Sequence, residues 1–274
     1  MKVAEIISKI LMYILMLFMV FISLAPLVWT FFNSLKTDPM WDTGLFPTEW
    51  TLEGYRTIFV EIKIFRNFLN SLIVSTGAVV ISMIVLVLAA YVVAMRQFRG
   101  KNIFVMVLLS TMFLPGTAMT YPIYRLIYSL NLQNNLLGLI LIYSMSNIVV
   151  NFFIIRGYFL TVPKEVEESG FLDGCSNFKA LFWLVAPIAM PGILTAMVLA
   201  FIGFWNEFYF ASLFLRSREL MTLTVVLSQF SKGFMVDYTG LFASVIVIIA
   251  IPLVCYLSCS KFFISALSGG AVKG

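Results

Sequence analysis

The chain contains no histidine. That absence removes the Ser-His-Asp triad, the H-E-x-x-H zinc site and histidine proton relays together. No G-x-x-x-x-G-K-[ST] stretch occurs, so the chain has no P-loop of its own; if ATP drives its work, another subunit binds it. There are three cysteines, too few for a disulfide framework. Cys175 stands in a polar stretch, and Cys255 and Cys259 are one helical turn apart; a metal site on that pair needs further ligands. Charge is scarce as well: 11% of residues, against about 25% in soluble domains.

What is present is oil. The sequence is 61% hydrophobic and 16% aromatic, with a mean hydropathy of +1.01. This composition describes an all-α, polytopic membrane protein, read as one transmembrane domain over residues 1–274. The net charge of +5 is spread along the chain and forms no nucleic-acid patch; it reads as an orientation bias. Six apolar spans are expected near 6–32, 69–95, 103–127, 136–155, 187–215 and 241–263. The first is too long for a signal-peptide core and has no clear cleavage site, so it is read as retained. Pro115 and Pro122 predict a break in the third. External loops are expected at about 33–67 and 216–239, and a tail at 265–274.

Between the fourth and fifth spans lies the polar stretch 161–191, within a loop at about 158–190. Thr161 is placed to cap a helix and Pro163 suits its first turn. Glu165, Glu167 and Glu168 follow at the positive end of the helix dipole. Gly174 then supplies a residue free to take positive φ, and Ser176 or Asn177 caps a second helix through Phe182 and Trp183 to Pro187. The expectation is a helix, a glycine turn and a helix.

Glu168-Ser169-Gly170-x-x-Asp173-Gly174-Cys175, followed by Pro187, resembles the EAA loop of ABC importer permeases. Ser169, Gly170 and Cys175 stand where the family carries alanines, and Ala186 precedes the proline in place of Leu. Gly170 should loosen the first helix by up to about 1 kcal/mol relative to Ala. The run 204–210 (F-W-N-E-F-Y-F), the loop 46–59 (FPTEWTLEGYRTIF) and the closing GGAVKG are similar to the maltose-type, carbohydrate branch. The resemblance implies a type I importer fold with a coupling hairpin, and a transport subunit that is not itself an enzyme. Its implied partners are a second homologous permease, an ABC ATPase dimer that binds ATP and Mg, an extracellular or periplasmic substrate-binding protein, and membrane lipid. Glu167, Glu168, Gly170, Asp173, Gly174 and Phe178, with Gly269, Gly270 and Lys273 of the tail, are the expected ATPase-coupling residues. The apolar middle of the last external loop, 220–230, is expected to contact the binding protein.

For the cargo path the candidates are Tyr143, Asn147, Asn151, Trp205, Asn206, Glu207 and Tyr209. Amides at membrane depth need partners or water, so the asparagines serve either interhelical hydrogen bonds or a hydrated sugar path. Glu207 is the one acid assigned to a span, which makes it a functional candidate; the alternative is an acid held by a neighbouring helix or its own bent backbone. Small-residue stripes at Ser71, Ser75, Ala78 and Ser82, and at Gly192, Ala196, Ala200 and Gly203, read as close helix packing.

With both ends on the side of the polar hairpin, that side carries ten basic and five acidic residues, and the other side eight and seven. The bias agrees with a cytoplasmic hairpin and cytoplasmic termini in a bacterial inner membrane. The function so implied is import of a sugar or oligosaccharide. The alternatives are another polar solute, such as a phosphorylated polyol, and a self-contained secondary transporter, which usually shows internal repeats; none is evident.

Overall fold

The computed structural model describes residues 2–231 and 237–271, with side chains over 5–230 and 237–258. Among these residues the chain is helical, and its one pairing outside helices and turns is an antiparallel bridge between Lys36 and Trp50. The main helices are α1 (Lys2–Asn33), α2 (Phe65–Met95), α3 (Lys101–Ser110), α4 (Thr120–Ser129), α5 (Leu136–Ser144), α6 (Ile148–Phe159), α7 (Lys164–Leu172), α8 (Asn177–Ile188), α9 (Met190–Trp205), α10 (Tyr209–Phe214), α11 (Leu223–Leu227) and α12 (Tyr238–Ala271). A π-helical stretch, Ala180–Val185, forms the middle of α8.

Among the described residues, three helices are long and apolar enough to cross a membrane, and bent pairs raise the number to six if each pair is one span. The expected break in the third span is there: Leu114 and Pro115 are extended, and the chain bends by 99°. A pyrrolidine ring keeps the residue before it out of the helical region, so the helix stops there. A second break, which the hydrophobic run conceals, falls between α5 and α6. Asn147 takes φ +54°, a conformation asparagine tolerates better than most residues, and the chain bends by 54°. A third bend, 82° at Ala189, sets α8 across the direction of α9.

The chain divides into two compact units. One comprises residues 1–65 and 226–250. In it the polar loop after α1 is pinned from inside. Lys36 is buried, and its amine donates to the carbonyls of Asp42 at 2.6 Å and Gly44 at 2.5 Å. The Asp42 carboxylate accepts from the Thr48 amide at 2.8 Å and hydroxyl at 3.1 Å. Those bonds hold its pKa below the ordinary aspartate value, the Thr48 amide most strongly. Thr239 donates to the Lys36 carbonyl at 3.1 Å.

The other unit comprises residues 66–225 and 251–274. Its core is built from Ala78, Met83, Leu86 and Ala90 of α2, Leu139 and Tyr143 of α5, Phe152, Ile155 and Phe159 of α6, Leu181 and Val185 of α8, and Ala196, Ala200 and Phe204 of α9. Both small-residue stripes serve packing. Ser71, Ser75, Ala78 and Ser82 are all buried. At Gly192 the Tyr158 ring lies so close that even a Cβ would strike it, and a Cβ at Gly203 would come within 3.0 Å of the Asn147 amide.

The segment 218–223 folds back onto the start of α2. Asn67 donates to the carbonyls of Arg218 and Met221 at 2.8 and 2.9 Å, and Asn70 to those of Glu219 and Met221 at 2.8 and 3.2 Å. Ser71 accepts from the Leu223 amide at 2.8 Å, and Arg66 pairs with Glu219 at 3.2 Å. Asn134 fixes the approach to this segment, accepting from the Arg216 and Ser217 amides at 2.9 and 3.0 Å. Within the stretch 220–230 expected to contact a binding protein, residues 222–227 are buried, 220, 221, 228 and 230 are half-buried, and Gln229 is exposed.

Candidate functional site

The polar hairpin forms as its local chemistry dictates, with one exception. The helix begins after Pro163, whose extended ψ takes the cap position without a side-chain bond, and Thr161 instead donates back to the Tyr158 carbonyl at 2.8 Å. At the turn, Gly174 has φ +81°. Its amide bonds to the Phe171 carbonyl at 3.0 Å, and the Cys175 amide to the Gly170 carbonyl at 2.9 Å. This pair of bonds is a Schellman ending, in which the left-handed residue lets the chain reverse while satisfying carbonyls the helix leaves open. Ser176 caps α8 by accepting from the Lys179 amide. Gly170 is buried where the end of the Leu184 side chain presses on α7. Its role is to let the two limbs close.

The three glutamates diverge. Glu165 and Glu168 are exposed, as is Asp173, whereas Glu167 is buried. Arg96, just beyond the end of α2, donates through Nη1 and Nη2 to the two oxygens of Glu167, each at 2.9 Å. The Tyr91 hydroxyl donates to the same carboxylate, and Arg96 Nη2 also reaches the Tyr91 oxygen at 2.9 Å and the Asn177 side-chain oxygen at 3.1 Å. The guanidinium lies 5.4 Å from the Tyr91 ring centre and 5.3 Å from that of Phe171. Removing one partner costs about 3 kcal/mol, the low end for a buried pair because Arg96 is one-third exposed. Glu167 is thus spent within the chain, while Glu168 and Asp173 remain open to a partner. Around them stand exposed apolar groups: Leu172 at 89%, Trp183 at 79%, and Phe178 stacked 6.2 Å from Phe182. The cluster of Tyr91, Arg96 and Asn177 on Glu167 escapes the sequence reading, which has Asn177 only as a cap candidate. The signal available was a basic residue at the end of an apolar run, which orientation bias alone also explains.

The path candidates divide. Tyr143 is buried and donates to Glu207 Oε2 at 2.5 Å. The same carboxylate caps α10, accepting from the Phe210 amide at 2.8 Å and the Ala211 amide at 3.2 Å. Thr224 donates to the Glu207 carbonyl at 3.2 Å. Glu207 is therefore held both by a neighbouring helix and by its own bent backbone. Trp205 is 1% exposed and packs against Phe68 and Phe201; it belongs to the core. Asn151 is 2% exposed. Asn147, Asn206 and Tyr209 are exposed. Asn206 bonds to the Ile202 carbonyl of its own helix at 2.9 Å, and the Tyr209 hydroxyl lies 3.1 Å from that of Thr120. Of the tail, Gly269 and Gly270 lie in the last turns of α12, and Lys273 falls outside the described residues.

Residues 86–265 match the model of the family described as "Binding-protein-dependent transport system inner membrane component". A probable ABC transporter permease protein, YurM of Bacillus subtilis, is 32% identical over 261 residues, covering 94% of this chain and 87% of that protein. The diacetylchitobiose uptake system permease protein DasC of Streptomyces coelicolor is 29% identical and covers 91% of each chain. The arabinooligosaccharides transport system permease protein AraQ of Bacillus subtilis is 30% identical, over 83% of this chain and 81% of that one. A solved bacterial ABC transporter involved in alginate import shares the fold, with a TM-score of 0.80 and 22% identity over 95% of this chain and 98% of that chain. The chain belongs to the binding-protein-dependent transport system inner membrane component family. It is a membrane-embedded ABC transporter permease subunit, and not itself the catalyst of ATP hydrolysis.

Proposed function

We propose that this permease imports a sugar or oligosaccharide, delivered by an extracellular binding protein and driven by ATP hydrolysis on separate subunits. The observation that carries the coupling half of this reading is the hairpin: a two-helix tip with Glu168 and Asp173 open, rimmed by Leu172, Phe178 and Trp183. An ATPase cleft with apolar walls and a few donors complements such a tip. The chain acts as one permease domain, paired with a second homologous permease, on an ATPase dimer that supplies ATP and Mg. Both termini and the hairpin lie in the cytoplasm, in keeping with the bias of basic residues. The names of the relatives support the cargo class, through diacetylchitobiose and arabinooligosaccharides. Transport proceeds by alternating access: closure of the ATPases moves the hairpin, and the spans attached to it expose the path to one side and then the other.

The test is purification from native membranes through a tag on this chain, followed by reconstitution in liposomes with the copurified subunits and the cognate binding protein. An ATPase and a second permease should come with it, and ATP inside should drive uptake of labelled oligosaccharide. A chain that purifies without an ATPase would refute the coupling half. Uptake of phosphorylated polyols in place of oligosaccharides would refute the cargo.

A further inference from the structure

Two polar clusters stand at opposite ends of one helix. At the Met95 end of α2, Arg96 binds Glu167 in the first limb of the hairpin, Asn177 in the second, and Tyr91 in α2 itself. At the Phe65 end, Asn67, Asn70 and Ser71 bind the backbone of residues 218–223. Residues 67 and 96 are separated by about 44 Å at 1.5 Å per residue. Between them α2 is continuous, has no proline, and is buried along one side from Val74 to Ala94. Just beyond the bound segment, Thr224 holds the carbonyl of Glu207, which caps α10 and binds Tyr143.

We propose that Arg96 is a positioning residue that locks both limbs of the hairpin onto α2, and that α2 transmits hairpin movement to the segment 218–223 at the other membrane face. This inference rests on the coupling role proposed for the hairpin. The covalent connections of the hairpin run to α6 and α9 and do not pass through α2. Without Arg96 the hairpin meets α2 through apolar packing and the single Tyr91–Glu167 bond, which ties one limb at one point and leaves the second limb untied. A bidentate Arg–carboxylate pair, extended to an amide on the second limb, fixes both position and rotation. Lysine offers a single ammonium in place of the planar fork and cannot reproduce those bonds together. The asparagines at the far end act similarly: each bonds two carbonyls, so the segment 218–223 follows the end of α2.

The experiment uses the whole complex in lipid nanodiscs, with Cys175, Cys255 and Cys259 replaced by serine. A reporter thiol is introduced as Arg218→Cys, at an exposed side chain whose backbone bond is retained. A second, separate reporter, Phe178→Cys, reads docking of the hairpin. Maleimide labelling rates are compared without nucleotide and with a non-hydrolysable Mg–ATP analogue. The expected result is a nucleotide-dependent change of at least threefold at position 218 in the parent complex. That change should fall below 1.5-fold in Arg96→Gln, in Arg96→Lys, and in the Asn67→Ala/Asn70→Ala double variant, while position 178 stays protected. The asparagine variant leaves the hairpin cluster untouched, so its effect cannot come from hairpin misfolding. A full response at 218 in Arg96→Gln with 178 protected would overturn the proposal, as would no response in the parent. Position 178 labelling freely in the parent complex would overturn the coupling role itself, and this inference with it.

Discussion

The hydroxyl of Tyr143 donates to the carboxylate of Glu207 at 2.5 Å, joining α5 to the turn that starts α10. The acid in this span thus does a backbone's work: it accepts from two amides of α10 and one phenol. Glu207→Ala strips the cap and leaves a buried phenol without its acceptor, at about 2–4 kcal/mol for the two losses together. Tyr143→Phe removes one bond and costs about 1 kcal/mol. Thermal melts of the purified complex should rank the variants in that order. Equal melts for Glu207→Ala and the parent would show the cap to be idle.

The hairpin turn makes a second case. A Cβ at Gly174 meets nothing within 4 Å, so its whole cost lies in the backbone at φ +81°. Gly174→Val should therefore break the Schellman ending, since a β-branched residue is a strong outlier there. Uptake should collapse while membrane insertion persists. Gly170 is different: its φ is helical and the obstacle is the movable end of Leu184. Gly170→Ala should be tolerated better in a Leu184→Ala background than alone, and a double-mutant cycle on hairpin docking measures that difference.

Cysteine accessibility separates the path candidates. In a chain lacking Cys175, Cys255 and Cys259, Asn147→Cys and Asn206→Cys should react with a water-soluble thiol reagent in a way that depends on nucleotide. Asn151→Cys and Trp205→Cys should stay slow in every state, because both sites are almost fully buried. Rapid labelling at 205 would place the tryptophan on the path after all.

The loop after α1 carries a pH dependence of known sign. The pKa of Asp42 is lowered in the folded chain, chiefly by the Thr48 amide. Its contribution is therefore present above the unfolded value, about 3.9, and is lost as pH falls through the lower folded one. Hydrogen exchange of residues 42–48 should accelerate, relative to intrinsic rates, only as the pH drops below about 4. Asp42→Asn should abolish that step. An identical acid transition in Asp42→Asn would mean that another group sets it.

These sites show what the residues announce and what they hide. The spans are legible because a run of apolar residues long enough for a bilayer admits few other fates, and Pro115 announces its break because proline excludes a helical neighbour. The hairpin is legible for the same kind of reason: Gly174 suits the left-handed turn that the structure contains. Asn147 hides. Tyr143, Ser144, Asn147 and Asn151 fit one face of a continuous helix, and nothing local tells a helical asparagine from a left-handed one. Glu167 hides too, since three glutamates in one turn look alike until Arg96, seventy-one residues away, selects one. In the segment 220–230 composition says that residues are apolar, and not that 222–227 are buried.

The Tyr158 ring lying over the bare backbone of Gly192 leaves that position a vocabulary of one letter. At 192 even alanine must first displace Tyr158, whose own Cβ lies in the way. Drift at these two positions is therefore tied. Among sequences that diverge from this one, a larger residue at 192 should appear only where 158 has become glycine or the two backbones have moved apart, so the pair changes together.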